Sequence, residues 1–154
     1  MYSKEYVKSN KILFYTSFGR YMSRNRSIYN KKIKWLNYPT NVKNIYIRLN
    51  VNNKIAAVYI DIQHKDEDIR SLFFDQFMEL QTVFKSILGE KWNWEKETHN
   101  ENGIACSRIS TKIENVNIFE KNTWQNIFKF FEYNLLNFDE FWNEFNEVFK
   151  QLED

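Results

Sequence analysis

Cysteine and histidine are scarce in this sequence, which limits the metal and redox chemistry it can support. Cys106 is the only cysteine, so no internal disulfide can form and we expect a reducing compartment, with the cytoplasm as the default. The two histidines, His64 and His99, lie far apart in the sequence. Since a structural zinc site needs four ligands and Cys106 has no CxxC partner, we expect no metal centre.

Glycine and proline are also rare, and long apolar runs are missing. Three glycines and one proline leave no room for a glycine-rich linker, a phosphate-cradling loop or a GxSxG motif, so we expect a single domain over residues 1–154 without a cofactor. No stretch approaches about 18 uninterrupted apolar residues, and the N-terminal residues lack the apolar core of a signal peptide. We therefore expect neither a membrane span nor a secretion signal. The 14 Phe, 9 Tyr and 5 Trp residues indicate a packed core rather than a disordered chain.

Acidic residues are nearly absent from the first third of the chain. Residues 1–54 contain twelve lysines and arginines and one acid, Glu5, which gives this part a net charge of +11. Since the whole chain carries +2, the remaining hundred residues carry −9. This asymmetry indicates a basic surface that could meet nucleic acid, an acidic protein partner or the acidic half of a second copy.

Alternating apolar residues predict a first β-hairpin. Every second residue is apolar in the ranges 45–51 and 56–62, which flank the pair Asn52-Asn53. A two-residue turn at this pair would place each apolar side chain opposite another. The predicted partners are Leu49 with Ala56, Ile47 with Val58 and Ile45 with Ile60.

A second hairpin is predicted around Asn102-Gly103, the strongest turn signal in the chain. Glu95 and Glu97 lie on one face of its first strand and superficially resemble a catalytic carboxylate pair. The register sets an arginine opposite Glu97, which favours an exposed cross-strand ion pair instead. The predicted partners are Trp92 with Ile113, Trp94 with Thr111, Lys96 with Ile109, Glu95 with Ser110, Glu97 with Arg108 and His99 with Cys106.

Three helices and one more strand complete the prediction. Helical spacing of apolar residues predicts one helix over residues 3–21, a second between Asp66 and Gly89, and a third from Asn122 to the end, either continuous or broken near Asn137. A short strand is predicted at 33–37. The resulting order, α-βββ-α-ββ-α, predicts an α+β fold in which helices pack on an antiparallel sheet of about five strands.

Several short sequence stretches resemble a bacterial family described as domain of unknown function 4268. The resemblance spans most of the chain. The matching stretches consist of packing and turn residues, and the family has no established activity to carry over. Some larger members look like fusions to nuclease-like segments, which implies a place near nucleic acid or in defence systems. The matching stretches are Phe14–Met22, Lys34–Tyr38, Ile60–Asp66, Leu72–Phe77, Leu88–Trp94 and Phe138–Trp142.

The strongest candidate for a binding site is a basic stretch in the first third of the chain. It combines cations with the aromatic residues Tyr21, Tyr29, Trp35 and Tyr38, a mixture that nucleic-acid surfaces use. The alternative is that these charges only balance the acidic remainder within the same fold. The candidate nucleic-acid-binding residues are Arg20, Arg24, Arg26, Lys31, Lys32 and Lys34.

A weaker candidate is a divergent metal-dependent nuclease site. Asp61, Gln63 and Lys65 lie on one face of a predicted strand, which resembles the acid, acid and lysine pattern of nucleases that hold Mg²⁺, with glutamine in place of one acid. The preceding strand offers no carboxylate, so a solvated strand end is the alternative. Mg²⁺ is expected only if this hypothesis holds.

An apolar stripe in the last helix raises a third possibility, a homo-oligomeric interaction module. The stripe either covers the sheet of its own chain or pairs with a second copy, and its large aromatic residues favour the core. Taken together, the sequence predicts a non-enzymatic binding or accessory domain. The stripe consists of Phe131, Leu135, Phe138, Trp142, Phe145, Phe149 and Leu152.

Overall fold

Within residues 2–153, four strands form one antiparallel sheet in the order β1-β2-β4-β3, and of the four helices α2 and α4 contact the sheet while α1 and α3 pack against α4. The computed structural model describes residues 2–153. The α+β prediction is therefore confirmed, with four strands in place of about five. The elements are α1 (Lys4–Met22), β1 (Ile45–Val51), β2 (Ile55–Ile62), α2 (Glu67–Glu79), α3 (Gln81–Leu88), β3 (Asn93–His99), β4 (Ala105–Glu114) and α4 (Trp124–Gln151).

The strand predicted at 33–37 is wrong, because Trp35–Asn37 form one turn of 3-10 helix. Trp35 and Tyr38 are both buried, at 4% and 8% exposure. A spacing of three residues brings both side chains to the same side of a 3-10 turn, whereas an extended strand would place them on opposite faces. The indole N–H of Trp35 also donates to the carbonyl of Asn25 at 3.2 Å, which fixes the turn against the preceding loop.

The first hairpin forms with its pairing shifted by two residues from the prediction. Ile47 lies opposite Ile60 rather than Val58, because the turn is centred on Asn53-Lys54. The side chain of Asn52 selects this turn, since its Oδ1 accepts hydrogen bonds from the backbone N–H groups of Lys54 at 2.8 Å and Ile55 at 2.9 Å. A shift of two keeps every apolar residue on the core face, so the alternating pattern fits either register.

The second hairpin turns at Asn102-Gly103, but its predicted register is also wrong. Trp94 lies opposite Ile109, and the pairing shifts again by one residue between Glu95 and Thr98, where β3 has an irregularity. Gly103 adopts φ +75° and its N–H bonds to the carbonyl of Asn100, so the loop is longer than two residues. The observed partners are Glu95 with Arg108, Thr98 with Cys106 and His99 with Ala105.

The helix predicted between Asp66 and Gly89 is divided in two at Leu80. Asp66 caps its start by accepting hydrogen bonds from the backbone N–H groups of Asp68 and Ile69, and Gly89 ends it at φ +95°. At Leu80 the backbone leaves helical geometry, and its N–H bonds three residues back to Phe77. Among the apolar residues at helical spacing, Phe73, Phe77 and Phe84 are buried, whereas Ile69 is 46% exposed.

The long helix α4 forms without a break at Asn137 and buries most of its apolar stripe in the core of its own chain. Phe131 packs against Phe14 and Phe18 of α1, and Trp142 donates its indole N–H to the carbonyl of Thr40 at 2.8 Å. The stripe is therefore a core surface. Within residues 2–153, none of the helices combines the length and apolarity needed to cross a bilayer.

Candidate functional site

The six predicted nucleic-acid-binding residues lie within residues 20–34, which we call the basic segment; Arg20 is in the last turn of α1, and the other five follow the helix and precede the 3-10 turn. All six of their side chains lie at the surface, exposed or half-exposed. Among residues 2–153, the one ion pair that these six cations form is between Arg24 and Glu132 of α4, at 3.2 Å. All six charges therefore lie at the surface, and five of them have no acid within 4 Å in the described part of the chain.

The middle of the basic segment is anchored by Asp139, a carboxylate of α4 that is 3% exposed. Ser27 Oγ lies 2.9 and 2.8 Å from its two oxygens, and the backbone N–H of Ile28 donates to it at 3.0 Å. Tyr38 Oη at 2.5 Å and Asn143 Nδ2 at 2.8 Å complete the set. Because hydrogen bonds to an ionised carboxylate are stronger than neutral ones, this cluster holds the segment firmly on α4.

Tyr38 shows how closely this anchor is packed. Burial raises the pKa of its hydroxyl, and the hydrogen bond to Asp139 raises it further because deprotonation would place two negative charges side by side. Tyr38 therefore remains a neutral donor to the carboxylate at physiological pH.

A second anchor holds the beginning of the basic segment. Glu132 accepts hydrogen bonds from Tyr21 Oη at 2.6 Å, Asn25 Nδ2 at 3.0 Å and Arg24 Nη2 at 3.2 Å. Partial burial alone would raise the pKa of Glu132, but these three donors outweigh it and lower the pKa. Arg24 also lies over the ring of Tyr21, 4.4 Å from its centroid, so this arginine is the cation of the segment most engaged within the fold.

The basic segment also borders a shallow groove of about 330 Å³ between the end of α1 and residues 32–37. Met22 and Trp35 contribute apolar lining to it, and Lys32 and Lys34 add positive charge. The groove therefore places cations beside an apolar surface.

The candidates for a nuclease site are placed differently. Asp61 lies on β2 with no solvent exposure. Arg108 of β4 donates hydrogen bonds to both of its carboxylate oxygens, from Nε to Oδ1 at 2.7 Å and from Nη2 to Oδ2 at 3.0 Å. Gln63 follows the strand and accepts a hydrogen bond from Arg48 at 3.3 Å, while Lys65 is exposed in the turn before α2. Since guanidinium groups occupy the carboxylate oxygens that would hold a cation, this arrangement resembles a structural ion pair more than a metal site.

The ion pair is part of a closed network on the polar face of the sheet. Arg108 also bonds to Glu101 through two nitrogens, at 3.0 and 3.2 Å, and lies 3.8 Å from the ring centroid of Tyr59. Burial alone would lower the pKa of Arg108, but its bonds to Asp61 and Glu101 outweigh burial and raise it. Hydrogen bonding to Arg108 in turn lowers the pKa of Glu101. The network thus fastens the loop after β3 to β2, and the predicted pair of Arg108 with Glu97 does not form.

Potential metal ligands elsewhere are dispersed. Within residues 2–153, no three His, Cys, Asp or Glu side chains converge as a metal site would require. Cys106 is buried and faces Thr98, so the predicted pairing with His99 is wrong. Burial raises the pKa of the Cys106 thiol, and the nearby charge of Asp61 raises it further, which makes this thiol a poor nucleophile.

Asp139 is the important residue that the sequence did not single out. A signal for it exists, because Asp139 lies four residues after Leu135 and three before Trp142, on the face of α4 that the apolar stripe defines. A charged residue at a buried position needs partners from elsewhere in the fold. Nothing local in the sequence identifies Ser27 and Tyr38 as those partners, since both are more than a hundred residues away.

Comparison with known proteins gives a family but no activity. No curated protein and no solved structure matches the chain. Residues 11–146 match the family described as Domain of unknown function (DUF4268). That range includes both anchors of the basic segment and the whole sheet. The match covers most of the chain, and the protein therefore belongs to the DUF4268 family.

Proposed function

We propose that this protein is a non-enzymatic binding module whose basic segment contacts the phosphate backbone of nucleic acid. The observation that carries the proposal is a set of five surface cations without an ion pair among residues 2–153, on a segment that is anchored to the core. Exposed lysines and arginines gain affinity for a polyanion by releasing its condensed counterions.

The anchoring of the segment matters because a fixed loop loses less conformational entropy on binding than a mobile one. Ser27 and Ile28 are fixed in the interior of the segment, between Arg26 and Lys31. The cations on either side are therefore presented from a backbone that is already ordered.

The aromatic residues beside the cations favour phosphate contact over base stacking in this segment. Trp35 and Tyr38 are buried, and Tyr21 is covered by Arg24. Tyr29, at 69% exposure, is the exception among the four. We therefore infer binding with little sequence preference. We also infer that this binding takes place in a reducing compartment such as the cytoplasm, where the free, buried thiol of Cys106 is stable.

A filter-binding titration of DNA at two salt concentrations tests the proposal. The wild-type affinity is expected to fall steeply with salt, and the variant Arg26→Gln/Lys31→Gln/Lys32→Gln should lower the slope of log K against log salt by about 0.9 for each phosphate that the variant no longer neutralises. The matched control is Lys8→Gln/Lys11→Gln/Lys54→Gln, which removes the same charge from exposed sites outside the basic segment.

Two results would contradict the proposal. Binding no tighter than to a neutral polymer would remove nucleic acid as the ligand, and equally weakened binding by both triple variants would remove the basic segment as the contact surface. Plasmid incubated with the protein and Mg²⁺ should also remain intact, since Mg²⁺-dependent cleavage would favour the nuclease alternative.

A further inference from the structure

A second groove lies away from the basic segment, where α3 ends, β3 begins and α4 passes alongside. It has a volume of about 510 Å³. Lys91, Lys112, Lys129, Phe130 and Tyr133 line its rim and walls, and we call it the lysine groove. Three separate parts of the chain contribute these five residues, so no local sequence pattern predicts it.

The aromatic residues of the lysine groove present ring surface to solvent. Tyr133 is 51% exposed, and no other aromatic ring stacks on it within residues 2–153. Phe130 is half-buried beside it. Trp92 is buried in the lining, where a hydrogen bond from its indole N–H to Leu88 and an edge contact with Phe84 hold it in place. The groove therefore offers a free ring face on a rigid support.

The charges around these rings are mostly positive. Lys91 and Lys129 have no ion pair within the described residues, while Lys112 lies 3.6 Å from Glu114 with both side chains more than half exposed. A pair this exposed contributes little and leaves the lysine available to a ligand. Among the described residues that line the groove, Glu90 is the one acid, so the groove complements an anionic ligand that also carries flat apolar groups.

The lysine groove continues into neighbouring surfaces on both sides. Lys91, Lys112 and Trp92 also line a groove of about 530 Å³ that leads to Tyr59 on the polar face of the sheet. On the other side, Lys129 lies one helical turn before Glu132, the residue that holds Arg24 of the basic segment. An extended ligand on the basic segment could thus reach the lysine groove across the exposed side of α4.

We propose that the lysine groove binds the unpaired bases of single-stranded nucleic acid. Bases stack on Tyr133 and Phe130, and the flanking phosphates contact the three lysines, the combination that single-strand binding surfaces use. A duplex keeps its base faces stacked inside and cannot use the rings. An acidic peptide would satisfy the lysines but would leave the free face of Tyr133 without a partner. This inference rests on the proposed function and adds the form of nucleic acid that is bound.

The test is fluorescence anisotropy with a labelled oligothymidylate of about 12 nucleotides. Tyr133→Leu, which keeps an apolar side chain but removes the ring, should weaken binding about fivefold or more, whereas Tyr133→Phe keeps the ring and should bind like the wild type. Lys129→Gln should lower the salt slope by about 0.7, the value for one phosphate contact of a single strand. Lys54→Gln, at the tip of the first hairpin, is the control and should leave the slope unchanged.

The outcomes separate this inference from the proposed function. If the basic-segment triple variant weakens binding and Tyr133→Leu does not, the lysine groove is overturned and the proposed function stands. The reverse result supports the groove and overturns the basic segment. Competition by a duplex as tight as by the single strand, competition by polyglutamate at equal strength, or no binding at all would each overturn the inference.

Discussion

At the scale of single residues, the buried carboxylate of Asp61 is the charge on which the sheet most depends. It has no solvent exposure, and Arg108 satisfies both of its oxygens. Arg48 lies farther away, at 3.6 Å. Removing one partner of such a pair leaves the other charge desolvated, which costs far more than the pair contributes when intact.

Replacing Asp61 with asparagine should therefore destabilise the fold strongly. We expect the free energy of unfolding to fall by about 3 to 5 kcal/mol, because the one acid that Arg108 then retains among residues 2–153 is Glu101, which is more than half exposed. The matched control is Asp75→Asn, which breaks the exposed pair of Asp75 with Lys96 and should cost at most about 1 kcal/mol. Urea unfolding of both variants measures the difference, and equal destabilisation would show that the buried pair is not a structural element.

The sequence correctly predicted that Arg108 would pair with an acid, but the predicted acid, Glu97, is wrong. The hairpin register alone offered Glu97, an acid on the adjacent strand. The actual partner, Asp61, belongs to β2, which pairs with β4 from 47 residues away. Such a choice depends on strand order, which alternation within a strand does not encode.

At the scale of elements, two glycines differ in what the backbone requires at their positions. Gly89 ends α3 at φ +95° and ψ 174°, a conformation almost restricted to glycine. Gly19 lies inside α1, and a Cβ added there would meet Leu36 Cδ1 at an ordinary 3.8 Å. The first glycine is required by the turn, whereas the second weakens its helix.

Alanine should therefore have opposite effects at the two positions. Gly89→Ala is expected to lower the free energy of unfolding by about 1 to 3 kcal/mol because of backbone strain. Gly19→Ala should raise it by about 0.5 to 1 kcal/mol, since alanine loses less conformational entropy in a helix. Thermal or urea unfolding distinguishes the signs, and destabilisation by Gly19→Ala would mean that α1 does not tolerate the added methyl group.

Most helix and strand positions could be predicted from the sequence, but the details of pairing could not. The alternation in 45–51 and 56–62 fixes which face is apolar, yet it is unchanged by a shift of two residues, so the side chain of Asn52 decides the register. Trp35 begins the 3-10 turn and Tyr38 follows it, and the hydrogen bonds of their side chains to Asn25 and Asp139 hold the turn in place. A stretch of five residues cannot reveal such distant partners.

In the candidate site, too, the features set by nearby residues could be predicted and those set by distant residues could not. The sequence identified the cations of the basic segment, because charge composition is local. It did not identify the anchors Asp139 and Glu132, since both lie on α4, more than a hundred residues along the chain.

At the scale of the whole molecule, the partly buried Tyr15 and the buried Tyr38 link stability to alkaline pH. Burial raises the pKa of Tyr15 from 10.0 to about 12. The pKa of Tyr38 is raised mainly by burial and further by its hydrogen bond to Asp139. A hydroxyl that keeps its proton in the folded state contributes its full stabilisation below pH 10 and loses it as the pH rises above that value.

We therefore expect the free energy of unfolding to decline above about pH 10, with a slope of up to about 1.4 kcal/mol per pH unit for each such tyrosine. Tyr15→Phe should make the decline shallower, because the variant has no hydroxyl proton to lose at this position. Urea unfolding at about pH 9, 10 and 11 measures the slope. Tyr29→Phe is the control, since Tyr29 is 69% exposed, and an unchanged slope in Tyr15→Phe would contradict the assignment.

The anchoring of the basic segment by Asp139 also sets an order of events during synthesis. The hydrogen bond from Ser27 to Asp139 joins residues 112 positions apart. At about 5 to 20 residues per second, the ribosome needs roughly 6 to 22 s to add the intervening chain. Until then the segment lacks its hydrogen bonds to Asp139 and Glu132, so a nascent chain stalled before α4 would present these cations without either anchor. The surface proposed to bind nucleic acid is thus encoded early and acquires its structure late.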